Sequence, residues 1–295
     1  MGQWRGVGPA LISSMLGGTA AAVTRWLAAD VDPVAIAILR FGLGFLIVLP
    51  FAVATRAAWP PRRDRPAVAV LGIAFFAAFF VLYNVAMGWT TAARGSLALA
   101  TLPLQTMVVG ALLGVEPLDR RKATGVVVAV AGVALALASG LAEAPAGSWR
   151  GEATMAGAVL CMAFYNVLSR PFIGRSSAVG FLAMGMGAGA AVLVAIGAAG
   201  GSLAALARLD AAQWMGGLYL AAAGGALAFL LWVVALRHAS PTRVAVTMTV
   251  NPVAAALLAA VLVAEPIAAD LVAGLAAVAL GIWIATAERR NHKAP

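Results

Sequence analysis

Long apolar runs, each close to or above the length of a bilayer-spanning helix, follow one another along the chain and are separated by short charged segments. A helix needs roughly 20 apolar residues to cross the hydrocarbon core, whereas strands of a membrane barrel alternate apolar and polar residues over about ten positions. Only 11% of the 295 residues are charged and 63% are hydrophobic, against about 25% and about 45–50% in soluble domains. The chain is therefore expected to be an all-α integral membrane protein.

Charges and prolines divide the chain into ten predicted transmembrane helices. The connections are too short to form a separate domain, so residues 1–295 are expected to form a single membrane domain. The first run could be a signal peptide cleaved near Ala20–Ala22, but it is longer than a usual signal sequence, and we expect a retained helix. The predicted spans are about 7–28, 32–55, 66–88, 91–114, 121–141, 152–172, 177–199, 211–235, 241–263 and 268–287.

The distribution of lysine and arginine predicts the orientation of these spans. With the N-terminus inside, fifteen of the twenty basic residues lie in cytoplasmic segments and four lie outside, while Arg40 lies within a span. Cytoplasmic loops carry the basic excess in membrane proteins, so both termini are predicted to be cytoplasmic. The net charge of +9 is explained by this topology and by attraction to anionic lipid head groups, without a nucleic acid partner.

An internal repeat relates the two halves of the chain at a constant offset of 149 residues. The first repeat covers about residues 1–145 and the second about 150–290, so each holds five spans. Because five is odd, the second repeat starts on the opposite side of the membrane, and the halves are predicted to be inverted around a central site that opens to either side in turn. The matched residues are Arg94 with Arg243, Pro103 with Pro252, Glu116-Pro117 with Glu265-Pro266, Gly125 with Gly274, and Gly132 with Gly281.

Each half thus carries a proline in its fourth helix, Glu-Pro at the end of that helix, and glycines nine and sixteen residues after the glutamate. This pattern resembles the EamA-type repeat of the drug/metabolite transporter superfamily, doubled as in its ten-helix permeases. The resemblance implies transport of a small solute through a cavity between the halves, and a location in the bacterial inner membrane. Within the superfamily, the chain looks most similar to bacterial amino-acid exporters.

The charged residues predicted inside the membrane restrict the cargo. All eleven acids fall at span ends or in loops, which argues against cationic substrates and against a carboxylate-based proton cycle, and favours gradient-driven facilitation. Arg40 is the one embedded charge, and two interpretations of it remain open. It either contacts an anionic group of the substrate, or it bonds backbone carbonyls and extends towards the interface. A phosphorylated substrate would need more than one such cation.

Polar and aromatic side chains at membrane depth are candidates for binding a neutral or zwitterionic solute. The alternative for each is an interhelical hydrogen bond. Pro103 and Pro252, near the centres of the fourth and ninth spans, are candidate hinges. The candidate binding residues are Ser14, Tyr83, Asn84, Thr101, Gln105, Tyr165, Asn166, Trp232, Thr247 and Asn251.

The sequence offers little for other kinds of function. The chain has one cysteine, Cys161, and two histidines, so neither a metal site nor a nucleophile–base pair is expected, and the chain is not expected to be an enzyme or to carry a cofactor. It has no phosphate-binding loop, which excludes direct ATP drive within this chain. We expect a transporter that exports small neutral or zwitterionic metabolites, above all amino acids, including large neutral ones, by alternating access. The alternative is a broad-specificity drug or metabolite efflux transporter, with or without proton coupling.

Overall fold

The structure is a computed structural model, and it describes residues 4–87, 89–90, 92–136, 138, 147–251, 254 and 269–286. All regular secondary structure in these ranges is helical, as the apolar runs predict. In chain order the helices are α1 Trp4–Leu27, α2 Pro33–Ala54, α3 Arg62–Ala86, α4 Ala92–Leu99, α5 Leu102–Leu112, α6 Arg120–Ala136, α7 Trp149–Leu168, α8 Arg170–Gly174, α9 Ala178–Gly200, α10 Ser202–Leu206, α11 Ala211–His238, α12 Pro241–Val246 and α13 Ala269–Thr286.

Six helical stretches within the described residues are long and apolar enough to cross a membrane. They are α1, α2, α3, α7 continued by α8, α9 and α11, and each coincides with a predicted span to within a few residues. Parts of the predicted spans 121–141 and 241–263, including the candidate hinge Pro252, lie outside the described residues. The total of ten membrane-spanning helices therefore stays a prediction.

The predicted span 91–114 forms two helices instead of one. Helix α4 ends at Leu99 and α5 begins at Leu102, with Pro103 in the first turn of α5. A proline has no backbone N–H and its ring clashes with the carbonyl four residues earlier, here that of Leu99, so the first helix cannot continue through it. The interruption therefore falls on the N-terminal side of the candidate hinge Pro103.

Three of the long helices contain a segment with wide, π-helical turns. These segments are Ile38–Leu43 in α2, Ala74–Phe79 in α3 and Leu220–Leu227 in α11. Such turns are rare, and they occur frequently at functional sites because they shift the direction of the side chains that follow. The segments of α2 and α11 pack against each other, and the backbone carbonyl of Arg40 lies where a side chain on Gly225 would stand.

Contacts between chain segments define the two ends of the helix bundle. At the end that we name the Asp32 end, Asn84 Nδ2 donates to the carbonyl of Pro33, 3.3 Å away. At the opposite end, named the Glu116 end, the backbone N–H of Ser177 donates to the carbonyl of Ala58, 2.8 Å away. Helix α1 begins at the Glu116 end, where Gly6 contacts Ala239, and it runs antiparallel to α11. These ends provide the reference for the position of every candidate site.

Helices α6 and α13 cross in direct backbone contact through glycines. A Cβ atom on Gly125 would lie 2.7 Å from the carbonyl oxygen of Gly281, and one on Gly132 would lie 2.9 Å from that of Gly274. Gly125, nearer the start of α6, contacts Gly281 near the end of α13, whereas Gly132 contacts Gly274 nearer the start of α13. The two helices are therefore antiparallel. All four glycines belong to the sequence repeat, and their role in the structure is to let these two helices touch.

Candidate functional site

The candidate site is a cavity of about 820 Å³, measured out to its open mouth, between α1, α2, α3 and α11. Its wall extends from Ser13 in the middle of α1 to Thr24, Pro33 and Asn84 near the Asp32 end. Each of the three wide-turn segments supplies part of the wall or borders it. A cavity lined by apolar groups and a few convergent polar groups is the usual form of a small-molecule site.

Aromatic rings make up the largest part of the cavity wall. Phe75, Phe79, Phe80, Phe229 and Trp232 all line it. Phe75 and Phe229 pack edge to face with ring centroids 5.2 Å apart, and Phe79 and Phe80 likewise at 4.7 Å. These rings offer a rigid apolar surface that fits a hydrophobic side chain of a ligand.

Five predicted residues lie in the cavity wall. They come from α2, α3, α11 and the segment that follows α12, which the sequence alone could not place side by side. Asn251 lies beside Gly17 of α1, and its Oδ1 is buried without a hydrogen-bond partner among the described residues. The five are Arg40, Tyr83, Asn84, Trp232 and Asn251.

Arg40 has an unusual set of neighbours. Its Nε and Nη2 both donate to the carbonyl oxygen of Gly224, at 3.2 and 2.9 Å. The guanidinium carbon lies 5.2 to 5.8 Å from the ring centroids of Phe41, Phe80 and Phe229. The guanidinium bonds a backbone carbonyl, which is one of the two interpretations of Arg40. It also faces the cavity, so a contact with an anionic group of the substrate, the other interpretation, stays open.

The remaining predicted binding residues are not among the residues that line the cavity. Ser14 and Thr247 are buried and their hydroxyl groups are 3.0 Å apart, so they join α1 to the segment after α12. Gln105 Nε2 donates to Thr101 Oγ1 at 3.3 Å, on the same helix face. Ser14 and Thr247 thus make the interhelical hydrogen bond considered as their alternative, whereas Thr101 and Gln105 bond each other at the start of one helix.

Tyr165 and Asn166 lie in the packed interior next to the cavity. The ring of Tyr165 stacks on Phe75 with centroids 4.6 Å apart. Asn166 is fully buried, and its Oδ1 accepts a hydrogen bond of 2.9 Å from Nε1 of Trp232. Asn166 thus fixes the orientation of an indole ring that lines the cavity.

We expect Trp232→Phe to destabilise the protein, because Asn166 Oδ1 would lose its hydrogen-bond partner inside the bundle. Leaving a buried polar group unpaired costs about 1–3 kcal/mol, whereas replacing both partners by apolar groups of similar shape is nearly neutral. The double variant Asn166→Leu/Trp232→Phe should therefore be more stable than Trp232→Phe alone. Thermal unfolding of the purified variants in detergent measures this, and a double variant no more stable than Trp232→Phe would contradict it.

Sequence analysis missed the phenylalanines of the cavity wall, although one signal was present. Four of the chain's eleven phenylalanines, at positions 75, 76, 79 and 80, fall within six residues of α3. In a chain rich in alanine and valine, such a concentration of rings marks a helix that packs against large partners. Phe76 turns into the fully buried core, while the other three line the cavity.

A second polar cluster lies at the Glu116 end and connects distant parts of the chain. Glu116, 5% exposed, forms an ion pair with Lys122 through Oε1. Its Oε2 accepts hydrogen bonds from the backbone N–H and the hydroxyl group of Thr242, at 3.2 and 3.0 Å. Thr242 lies in the first turn of α12, whose own N-cap residue Ser240 makes no side-chain capping bond. We name Glu116, Lys122 and Thr242 the Glu116 latch.

The hydrogen bonds of the latch favour the charged form of the glutamate. Burial of the Glu116 carboxyl opposes its ionisation, but the hydrogen bonds from Lys122 and Thr242 together with the Lys122 charge outweigh burial. The pKa of Glu116 therefore lies below its ordinary value. A carboxylate at a helix N-terminus is also stabilised by the helix dipole.

No group of three or more potential metal-binding side chains, from histidine, cysteine, aspartate or glutamate, occurs within the described residues. The polar groups that line the cavity are a guanidinium, two amides, a phenol, an indole and the hydroxyl groups of Ser13 and Thr24. This set is suited to hydrogen-bonding a small polar solute.

Comparison with known proteins agrees with a transport role. The profile of the EamA-like transporter family matches residues 4–138 and again residues 149–287. A protein of Archaeoglobus fulgidus described as "Uncharacterized transporter" is 23% identical over 264 residues, 88% of this chain and 90% of that relative. "Uncharacterized transporter YyaM" of Bacillus subtilis is 23% identical over 266 residues, 89% and 87% of the two chains.

A solved crystal structure shares the fold. It superposes on this chain with a TM-score of 0.78 and covers 96% of this chain and 97% of that chain, at 20% identity. The family profile matches nearly the whole chain in two segments, and the apolar helices match those expected of a multi-pass membrane protein. The chain therefore belongs to the EamA-like transporter family, and its role is membrane transport.

Proposed function

We propose that this transporter moves small neutral or zwitterionic metabolites, above all amino acids including large neutral ones, out of a bacterial cell across the inner membrane. In this proposal ten helices form two inverted repeats, and both termini are cytoplasmic. The observation that carries it is the cavity between the first and second halves of the chain. The cavity is lined by aromatic rings and amides, and its described lining extends to the Asp32 end of the bundle.

The geometry of the repeat supports inversion. The offset of 149 residues converts the contact of Gly125 with Gly281 into the contact of Gly274 with Gly132, which is the second observed contact. The same offset moves the wide-turn segment 74–79 onto residues 223–228, which overlap the wide-turn segment 220–227. The exchange of these two contacts under the repeat is what a pseudo-two-fold axis requires, although the third wide-turn segment, 38–43, corresponds to ordinary helix at residues 187–192 of α9.

The positions of the cavity and the latch support alternating access. The cavity extends to the Asp32 end, which the distribution of basic residues places outside the cell. At the predicted cytoplasmic end, the Glu116 latch joins the segment after α5, in the first half, to the start of α12, in the second half. We infer that this arrangement is the outward-facing state, in which the latch closes the path to the cytoplasm.

The energy source proposed is the gradient of the substrate itself. The cavity wall contains no carboxylate among the described residues, so it has no acidic group that could exchange a proton for a cation. The side chains of Met162 and Met248 add adaptable surface beside the rigid aromatic rings, which is the observation that favours the second candidate, broad-specificity efflux.

Counterflow in proteoliposomes tests the proposal. We expect vesicles loaded with an unlabelled neutral amino acid, such as leucine or phenylalanine, to accumulate the labelled amino acid from outside. Accumulation should need no imposed pH gradient, because no cavity acid is available for proton coupling. Protein-free vesicles are the control for leakage.

The outcome separates the two candidates. Accumulation of amino acids but not of chemically unrelated drugs supports the first candidate, whereas comparable counterflow of both supports broad-specificity efflux. A strict requirement for a pH gradient would contradict gradient-driven facilitation. If no neutral solute exchanges in protein that is folded and correctly inserted, the proposed transport function is wrong.

A further inference from the structure

No carboxylate in the described part of the chain balances the charge of Arg40. Within the described part of the chain, no ion pair or hydrogen bond brings a carboxylate to this guanidinium, and it is the one charged side chain in the cavity wall. An embedded charge is costly in a membrane protein and is usually paired or functional. The carbonyl of Gly224 and three aromatic rings hold the guanidinium in place, but they carry no negative charge to compensate it.

The hydrogen-bonding capacity of Arg40 is also incompletely used. A guanidinium has five N–H donors in a planar fork. Here Nε and Nη2 converge on a single carbonyl oxygen, and Nη1 has no hydrogen-bond partner among the described residues. This leaves donors on the cavity side of the guanidinium, where a carboxylate of a ligand could accept from them.

The helix packing around Arg40 fixes the position of those donors. A Cβ atom on Gly224 would meet Cβ of Ala20 at 2.7 Å, so a glycine at this position allows α1 and α11 to approach closely. The Gly224 carbonyl that anchors Arg40 is thereby fixed relative to α1. A charge anchored by packed backbone is preorganised for a ligand and does not have to be ordered when the ligand binds.

A second polar group lies close to Arg40 along α1. Asn251 packs on Gly17, whereas Arg40 lies at the level of Ala20, and three residues of helix correspond to about 4.5 Å along the axis. The buried Oδ1 of Asn251 has no partner among the described residues. Asn251 and Arg40 both line the cavity, so this oxygen is an acceptor for the amino group of an α-amino acid whose carboxylate binds Arg40.

We infer that Arg40 recognises the carboxylate of the transported molecule, so that the substrates of this cavity are monocarboxylates with an apolar body, and the amino group, where there is one, faces Asn251. This inference rests on the proposed transport function, and it requires a carboxylate in the substrate while admitting carboxylates that have no amino group. Amines without a carboxylate have no anionic partner in the cavity wall and are repelled by Arg40. Dianionic phosphates are disfavoured because a single guanidinium neutralises only part of their charge.

Three ligands with the same apolar body test the inference on the unaltered protein. Phenylalanine carries both charged groups, 3-phenylpropionate carries only the carboxylate, and phenethylamine carries only the amino group. Binding to purified protein in detergent, measured by calorimetry, avoids the passive leakage of these molecules through vesicles. We expect the two carboxylates to bind within about tenfold of each other and phenethylamine to bind at least about a hundredfold more weakly.

Variants of Arg40 test the same assignment from the side of the protein. Arg40→Gln can still donate to Gly224 but has no charge, and we expect it to lose at least about a hundredfold in affinity for both carboxylates. Arg40→Lys keeps the charge and loses the planar fork, so an intermediate loss is expected. Arg65→Gln is the matched control, because Arg65 also donates to a backbone carbonyl, that of Pro60, and is not among the residues lining the cavity.

Each outcome has a distinct meaning. Phenethylamine binding as tightly as phenylalanine, or Arg40→Gln binding both carboxylates as tightly as the unaltered protein, would overturn the assignment of Arg40. Counterflow of any neutral solute would in that case leave the transport function standing. If none of the three ligands binds and no solute exchanges, the proposed function fails and the assignment fails with it. The ligand comparison needs no variant, so it tests the requirement for a carboxylate even if Arg40→Gln does not fold.

Discussion

Gly281→Ala is expected to destabilise the protein markedly, and Gly281→Leu is expected to yield no monodisperse protein. A Cβ atom at this position would lie 2.4 Å from the backbone nitrogen of Ala129 and 2.6 Å from the carbonyl oxygen of Gly125. Both neighbours are backbone atoms of α6, so they cannot move aside as the tip of a side chain could. The two helices must separate along their whole contact, and overpacking of this kind costs about 1–3 kcal/mol for small additions.

Gly157→Ala in α7 is the matched control for this prediction. Gly157 is exposed, lies inside a helix, and has no heavy atom within 4 Å of where its Cβ would stand. Alanine favours a helix by about 1 kcal/mol relative to glycine, so this variant should be as stable as the original or slightly more stable. The melting temperatures of the variants in one detergent provide the measurement. Equal stability of Gly281→Ala and Gly157→Ala would show that α6 and α13 are not in backbone contact.

The repeat extends this prediction to a second position. A Cβ atom on Gly132 would lie 2.7 Å from the backbone nitrogen of Val278, and Gly132 corresponds to Gly281 at the offset of 149. Gly132→Ala should therefore lower the melting temperature by a similar amount. The four repeat glycines were recognised from their spacing, but their pairing across the two halves became evident only when the helices were seen to cross.

The long helices could be predicted because a run of about 20 apolar residues is a local property of the sequence. Which side of each helix faces the cavity could not be predicted in the same way. Lipid and protein interior are both apolar, so a membrane helix carries little periodic contrast between its faces. Tyr83 and Tyr165 were therefore equivalent candidates, although Tyr83 lines the cavity and Tyr165 is stacked inside the core.

The wide-turn segments were not foreseen, and they position the most distinctive side chain of the site. Nothing in residues 38–43 or 220–227 marks a departure from ordinary helix, since the local residues are compatible with both forms. The departure is a tertiary property, because it depends on how α2 and α11 pack against each other. Arg40 could consequently be identified as an embedded charge, while its anchor at Gly224, 184 residues away, could not.

The Glu-Pro pair that ends the fourth span illustrates the same limit. Its repetition at the offset of 149 marked Glu116 as important. A motif in the sequence does not reveal a partner 126 residues away, and Thr242 carries no motif of its own. The structure supplies that partner and thereby suggests a gating role for the acid, in addition to its role at the end of a helix.

Glu116→Gln is expected to open the Glu116 end of the cavity. The substitution removes the ion pair with Lys122 and weakens the capping of α12 at Thr242. Hydrogen bonds to charged groups contribute about 1.5–3 kcal/mol each, so losing even one changes the ratio of outward-facing to inward-facing protein by about tenfold or more. The latch should stabilise the outward-facing state in particular, because its partners belong to opposite halves of the chain and separate when the Glu116 end opens.

Labelling of a cysteine in the cavity measures this change. In a Cys161→Ser background, Ser13→Cys places a thiol in the cavity wall, and a membrane-impermeant thiol reagent is added to inside-out or right-side-out vesicles. We expect Glu116→Gln to raise the labelling rate from the cytoplasmic side and to lower it from the outer side. Protein that had merely loosened would react faster from both sides, so the opposite signs identify a shift between two states.

Asp119→Asn serves as the control in the same loop. Asp119 accepts a hydrogen bond of 3.0 Å from the backbone N–H of Arg121, two residues away, so its bond does not connect the two halves. Unchanged labelling in both Asp119→Asn and Glu116→Gln would show that the latch is not a gate.

The pKa of Glu116 lies below its ordinary value. The latch therefore stabilises the closed state fully above the ordinary carboxyl range and is lost only as the pH falls through the lowered pKa. The effect of Glu116→Gln should accordingly not vary with pH near neutrality, which separates a structural latch from a proton-coupling site.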